Sequence, residues 1–508
     1  MSPVARTRSG RVEGERARGG LVFKGIPYAA APVGALRFRA PEPVAPWSDV
    51  RRATRFGPSA PQAGAMNWLV RRFIGAAAGS QSEDCLSLNV WTPALDGRHR
   101  AVLVFVHGGA FLMGSGSTPL YSGARLCERG DVVVVTLNYR LGALGSLALR
   151  EVFADARDTP ANPGLLDQLA ALRWVRENIE EFGGDPDCVT VFGESAGAMS
   201  LGALLATPRA KGSFRRAILQ SGAAHNVSST EQARRVAEHF LARLGPAGRS
   251  LAGVRGAPLG EILRAQAETG MALAFELGGL AFQPSVDGDL LPEAPLAALE
   301  RGASAEVALL VGTNADEWKL FMLGDLRARR MDDAALRRRF ARALGDGDVE
   351  RAFAAYARAP SARAPEAPHE RWAAFQSDRI FHWPAARLLD LHASHSRDTY
   401  AYRFDWAPPI VGGRVGACHG IELPFVFGTI LEPWLRPWLG ASPGARKLAH
   451  RVQEAWLAFA KTGHPGHPGL PYWPPYDTEK RQAMELGRRC GAVPDYGRAA
   501  LSFWQPRR

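Results

Sequence analysis

The feature that most constrains this chain is a row of short runs that are apolar on both faces. Residues 101–106 (AVLVFV), 131–137 (DVVVVTL), 188–192 (CVTVF), 217–219 (AIL) and 306–311 (EVALLV) are rich in Val, Ile and Leu. A strand with one wet face alternates polar and apolar side chains. These runs do not, so they predict strands buried on both sides, as in a parallel sheet. The segments between them have helical periodicity. Residues 165–182 space Leu166, Leu169, Ala170, Trp174, Val175 and Ile179 along one helical face. Strand–helix alternation predicts an α/β chain with a large, doubly wound, mostly parallel sheet flanked by helices.

The opening differs. Residues 11–15, 21–24 and 87–91 alternate in short pieces, as antiparallel edge strands do. Residues 230–274 and 326–391 read as mainly helical, and the Pro-rich stretches 359–368 and 465–475 as loops. No repeat and no long linker divides the 508 residues. The expectation is one domain over 1–508, with helical insertions near 230–275 and 326–391.

Sixty-two basic and 50 acidic side chains leave a net charge of +12. Only six of the basic residues are lysines, and the arginines are scattered apart from short clusters such as Arg337-Arg338-Arg339. A nucleic-acid footprint is clustered, so no nucleic-acid partner is expected. No apolar run reaches the roughly 18 residues of a membrane span. The first twenty residues hold no apolar core of a secretory leader. The five cysteines, Cys85, Cys127, Cys188, Cys418 and Cys490, are an odd and widely spaced set. They predict neither a disulfide framework nor a zinc site, and they fit a reducing cytoplasm.

Gly193-Glu194-Ser195-Ala196-Gly197 is a G-x-S-x-G between an apolar run and the helix candidate 198–205. In that strand–turn–helix setting, glycines let the chain turn sharply and hold a serine hydroxyl clear of the backbone. A serine becomes a nucleophile only when a base takes its proton. In such a fold the acid and then the histidine follow the serine along the chain.

Here the sequence resembles the type-B carboxylesterases. The resemblance rests on Phe23-Lys24-Gly25-Ile26-Pro27-Tyr28, Leu36-Arg37-Phe38, residues 82–90 (SEDCLSLNV) and His107-Gly108-Gly109-Ala110-Phe111. It continues through Asn138-Tyr139-Arg140, Asn162-Pro163-Gly164, Asp167-Gln168, residues 182–186 (FGGDP) and Gln220-Ser221-Gly222. It implies an α/β-hydrolase fold and a serine carboxylesterase acting through an acyl-enzyme on Ser195, with broad specificity and no cofactor or metal. Residues 312–317 (GTNADE) match the segment carrying the acid, which makes it Glu317, with Asp316 as the neighbouring rival. Residues 416–422 (GACHGIE) match the segment carrying the base, His419.

For the glycine-rich loop after 101–106, the resemblance implies an oxyanion hole of Gly109, Ala110 and Ala196, and tolerance of bulky tertiary alcohols. Ala110 and Trp318 stand where many relatives have glycine. Glu194 is expected beside the reacting centre, and Ser221 as a hydroxyl supporting the His–Glu pair. Leu280, with Gly278 and Gly279, is expected to line a roomy acyl pocket. Met66, Trp68, Phe73 and Ile74 are expected on its wall. Secreted relatives pair the cysteine that aligns with Cys85, but residues 58–65 supply no partner, which implies a free thiol. The expected partner is a small-molecule ester, with the protein a monomer or homodimer. Rival readings are an amidase, thioesterase or carbamate hydrolase using the same triad, or a non-catalytic binding module.

Overall fold

The computed structural model describes residues 2–63, 80–274, 277, 279–323, 325, 328–357, 367–439, 442–496 and 503–504. Eight strands carry the architecture: β1 (Ser87–Thr92), β2 (Arg100–Val106), β3 (Val133–Leu137), β4 (Gly184–Glu194), β5 (Arg216–Gln220), β6 (Ala308–Asn314), β7 (Thr399–Asp405) and β8 (Ala483–Gly487). They lie in the order β8-β7-β6-β5-β4-β2-β3-β1 within an eleven-stranded sheet. Every neighbouring pair from β8 to β3 is parallel, while β1 pairs antiparallel with β3. Strands Gly20–Pro27 and Glu15–Ala17 extend one edge antiparallel, and Gly491–Val493 extends the other. A small three-stranded sheet at the N-terminus holds Val4–Thr7, Gly10–Glu13 and Arg51–Arg52.

The burial matches the apolar patterning. All seven residues of β2, all five of β3 and all seven of β6 are buried. Their alternate side chains feed two separate cores. Val102, Val104 and Val106 pack on one face of the sheet, and Leu103 and Phe105 on the other. That split is the period of two of a strand covered on both sides.

The chain runs from β2 to β3 and then returns across β2 to β4, so the winding reverses beside β2. The crevice at such a switch point, outside the C-terminal strand ends, is where open α/β sheets place their sites. Ion pairs, one of them buried, tie the connections down. Arg140 holds Asp167, with Nη2–Oδ1 at 2.6 Å, and Arg37 donates to Glu83 at 2.7 Å.

The helical segments fall at 230–244, 251–256 and 259–273, and again at 333–344, 349–357, 368–377 and 383–393. The second group builds its own core around Leu336, Phe340, Tyr356, Trp372 and Phe375, closed by Phe503. The helix expected over 165–182 is Pro163–Asn178, followed by a 3₁₀ turn, Ile179–Phe182. All five cysteines are free thiols, with Cys85 buried. Among the described residues no helix is long and apolar enough to cross a membrane.

Candidate active site

The G-x-S-x-G turn is as tight as a backbone permits. β4 ends at Glu194 and a helix, Ala196–Leu205, starts two residues later. Ser195 alone makes the turn, with φ 56° and ψ −126°. A non-glycine residue there costs about 1–3 kcal/mol, so its surroundings must hold it in place. The Ser195 N–H donates to the Gln220 carbonyl at the end of β5, 2.9 Å away. The flanking glycines are required by close approach. A Cβ on Gly197 would lie 2.0 Å from the Val106 carbonyl oxygen, and one on Gly193 would lie 2.7 Å from the Gly197 carbonyl carbon.

The loop after β2 faces this turn. Gly109, Ala110 and Phe111 all have positive φ, at 114°, 56° and 61°. The methyl of Ala110 therefore sits in a conformation that costs about 1–2 kcal/mol outside glycine. The Leu112 and Met113 N–H groups both donate to the Gly109 carbonyl, which closes the loop on itself. No described residue accepts from the backbone N–H of Gly109, Ala110 or Ala196. Ala196 opens its helix, so its N–H is one of the four that a helix leaves unpaired, at the positive end of the dipole.

His419 lies between two carboxylates. Its Nδ1 is 2.7 Å from Glu317 Oε2, and its Nε2 is 3.0 Å from Glu194 Oε1. Glu317 is fully buried at the end of β6, and its other oxygen accepts from the Asn314 N–H at 2.7 Å. The rival Asp316 is occupied elsewhere. Its carboxylate accepts from the Ala417 N–H at 2.9 Å and pairs with Lys319 at 3.1 Å, which fastens the histidine loop to the acid's own turn. A third buried carboxylate, Glu422, accepts from Gln220 at 3.0 Å and from Asn314 at 2.6 Å.

This crowding controls the protons. Burial pushes the Glu194 carboxyl up to about 8, with Glu422 and Glu317 adding to the rise and His419 opposing it. Burial alone would lower His419, but Glu194, Glu317 and Glu422 outweigh it and raise the imidazole to about 9. Near neutral pH the His419–Glu194 contact therefore holds a proton.

Apolar side chains wall the crevice. Phe111, Ala196, Met199 and Phe381 pack together, with Leu280, Trp318 and Ile380 against them. Trp318 follows Glu317 in a 3₁₀ turn, Glu317–Met322, and packs on Phe321 with ring centroids 4.7 Å apart and planes tilted by 39°. Phe321, 48% exposed, and Phe381 lie parallel to within 7°. Their centroids stand 5.2 and 4.6 Å from the His419 ring. Phe381 belongs to a single π-helical turn, Asp378–His382, between helices Pro368–Ser377 and Trp383–Ala393.

Of the residues singled out in the sequence, Ser195, Glu194, Glu317, His419, Gly109, Ala110 and Ala196 sit at the ends of β2, β4 and β6 and in the loop after β7. Leu280 and Trp318 join the apolar wall. Ser221 is not joined to the His–Glu pair. Its N–H donates to the Gly312 carbonyl at 2.8 Å, and its hydroxyl is buried with no hydrogen-bond partner among the described residues. Ser221 ends β5 in a left-handed conformation, φ 51°, and its backbone carries the local bonding. Met66, Trp68, Phe73, Ile74 and Gly278 lie outside the described residues. Sequence reasoning missed Phe321, Phe381 and Ile380. Their common signal is an aromatic or branched residue beside the acid turn, and in the helical layer nothing marks such residues off from ordinary core.

The carboxylesterase family model matches residues 1–504. The chain is 40% identical over 490 residues to the para-nitrobenzyl esterase of Bacillus subtilis, covering 95% of this chain and 94% of that one. It is 34% identical to the phenmedipham hydrolase of Pseudarthrobacter oxydans, covering 96% and 95%. A crystal structure of a Geobacillus stearothermophilus carboxylesterase superposes with a TM-score of 0.86 at 40% identity, covering 99% of this chain and all of the other.

Proposed function

This chain belongs to the carboxylesterase family and hydrolyses carboxylic esters, and from that premise we propose that Ser195, His419 and Glu317 are its catalytic triad. The observation that carries the assignment is the 2.7 Å contact of His419 Nδ1 with buried Glu317, beside a serine held in a strained turn. His419 takes the Ser195 proton as the hydroxyl attacks the ester carbonyl. Glu317 orients the ring and stabilises its cation. The N–H groups of Gly109, Ala110 and Ala196 hold the oxyanion, where one such donor is worth about 10²–10³ in rate. His419 then protonates the leaving alcohol, and water repeats the cycle on the acyl-enzyme.

The nitrogen that serves Ser195 is Nε2, which here meets Glu194. That contact yields when the base engages the serine, so Glu194 governs the proton His419 must lose before it can act. The leaving oxygen must come within reach of the same nitrogen. Phe321 and Phe381 flank the ring, so the alcohol side favours aryl and benzyl groups. Leu280 and Trp318 border the substrate beside Ala196. The glycine-rich loop leaves room for tertiary alcohols. We read the chain as one domain with broad ester specificity, in a compartment that keeps its five thiols reduced.

The test compares para-nitrophenyl acetate, butyrate, octanoate and palmitate with wild type and Ser195→Ala. Activity on at least the short esters, reduced at least about 10⁴-fold by the substitution, is expected. An active Ser195→Ala protein would overturn the triad. Faster turnover of matched anilides than of esters would favour an amidase.

A further inference from the structure

A second histidine stands behind the acid. His382 closes the π-helical turn, with Nδ1 2.8 Å from Asp378 Oδ1 and Nε2 2.9 Å from the Asn314 carbonyl oxygen. Both partners are acceptors, so both ring nitrogens must donate, and the ring is an imidazolium. Burial works against that charge, but the Asp378 hydrogen bond and charge, the Asn314 carbonyl and Glu317 together outweigh it, and the ring's pKa lies above the ordinary value. The groups that face His382 are Asp378 on its own turn, and the Asn314 carbonyl and Glu317 on β6 and its following turn.

Asn314 is the link. Its carbonyl is held by His382, its N–H donates to Glu317 Oε1 at 2.7 Å, and its side-chain amide donates to Glu422 Oε2 and to the Cys418 carbonyl. Glu317 thus has one oxygen on Asn314 and the other on His419. On the outer side, Tyr356 donates to Asp378 Oδ2 at 2.9 Å, and Trp504 Nε1 donates to the Tyr356 hydroxyl at 3.2 Å. Hydrogen bonds joined through the Asn314 backbone therefore run from the helical layer to the acid. The same turn also presents Phe381 to His419.

We propose that His382 is a positioning residue for ester hydrolysis: it pins the Asn314 backbone and, through it, fixes the Glu317 carboxylate that orients His419. The inference rests on the triad reading above. His382 touches neither substrate nor serine, and it acts through the geometry and charge behind the acid. A carboxylate free to rotate would let the imidazole drift, and a displacement of about 1 Å at a reacting group can cost 10²-fold.

The experiment measures kcat and KM for para-nitrophenyl acetate in wild type, Ser195→Ala, His382→Gln and His382→Leu. It also records the low-field proton resonance of the His419–Glu317 hydrogen bond. His382→Gln keeps one donor for Asn314 and loses the charge, whereas His382→Leu loses both. The expected order of kcat is wild type, Gln, Leu, with the Leu variant down at least about tenfold and KM within about twofold. The low-field resonance should shift or broaden in the Leu variant. A folded Leu variant with wild-type kcat and an unmoved resonance, beside an inactive Ser195→Ala, would overturn this inference and leave the triad standing. An active Ser195→Ala would remove both.

If His382→Leu does not fold, Tyr356→Phe keeps the ring and deletes only the hydroxyl behind Asp378. It should lower kcat about two- to threefold with a shifted resonance. No change in either would overturn the proposal.

Discussion

The floor and the wall of this site are built by different means. The floor is backbone: the one-residue turn at Ser195, the loop 107–111 and the strand ends that hold them. A Cβ added to its glycines would lie 2 to 3 Å from other main-chain atoms, and its charged groups are buried. The wall is side chain: Trp318 and Phe321 from a 3₁₀ turn, and Ile380 and Phe381 from a π turn in a helical layer with its own core. Phe321 is half exposed. The contrast teaches that chemistry and selectivity are separable here. Damage to the floor should abolish turnover, whereas damage to the wall should redirect it.

The sharpest way to break that division is Gly197→Ala. The added methyl would meet the Val106 carbonyl oxygen at 2.0 Å and the His107 carbonyl oxygen at 2.8 Å. Neither is a flexible side-chain end, so the helix start and the β2 end must separate. We expect kcat/KM for para-nitrophenyl acetate to fall at least about 10²-fold. Thermal unfolding should show a loss of about 1–3 kcal/mol. Gly260→Ala is the control, because nothing lies within 4 Å of its added Cβ and it sits in a helix. It should leave activity unchanged and stability equal or higher. Near-normal activity in Gly197→Ala would show that the floor yields more than its contacts suggest.

This division also explains what was legible in the sequence. The floor could be read because each piece is a local exception. Gly193 and Gly197 are demanded by main-chain approach, the runs that became β2, β3 and β6 are apolar on both faces, and Glu317 follows a strand end. The antiparallel opening and the helical 230–274 region could be read from periodicity alone. The wall could not. Phe381 reaches His419 only because a π turn interrupts two helices, and no periodicity predicts that extra residue. Ser221 misled for the reverse reason. Its neighbourhood pointed to the site, but whether a hydroxyl finds a partner depends on side-chain directions that a sequence does not carry. His382, one of twelve histidines, carries no local signal in the sequence; only the topology places it behind Asn314.

Glu194 lies on the boundary of the two regions, and it sharpens the comparison through pH. It belongs to the floor by position, yet it acts on His419 by charge. Hydrolysis needs the neutral imidazole, so activity rises with pH as His419 loses its proton. Because the surrounding carboxylates raise that group to about 9, the rising limb of kcat/KM should lie on the alkaline side of neutrality. Glu194→Gln removes the carboxylate facing Nε2. The limb should then move to lower pH, toward the ordinary histidine value of about 6.5. Rate profiles from acid to alkaline pH with para-nitrophenyl acetate decide it. A limb that stays in place would show that Glu194 is neutral throughout and that Glu317 and Glu422 set the histidine.

The smallest expected effect tests the wall alone. Trp318→Gly restores the residue that many members of the family carry after the acid. The indole packs beside Ala196, Phe381 and Phe321, so its loss opens space next to the reacting centre without touching Ser195, His419 or Glu317. Turnover of para-nitrophenyl acetate should stay within about threefold of wild type. The preference for octanoate over acetate should rise about tenfold, the scale at which an apolar pocket discriminates a change of one or two methylenes. The Glu317 carboxylate is held from Asn314 and not from Trp318, which is why the chemistry should survive. If acetate hydrolysis instead collapsed with the fold intact, the indole would be holding the acid turn in place, and wall and floor would be one structure.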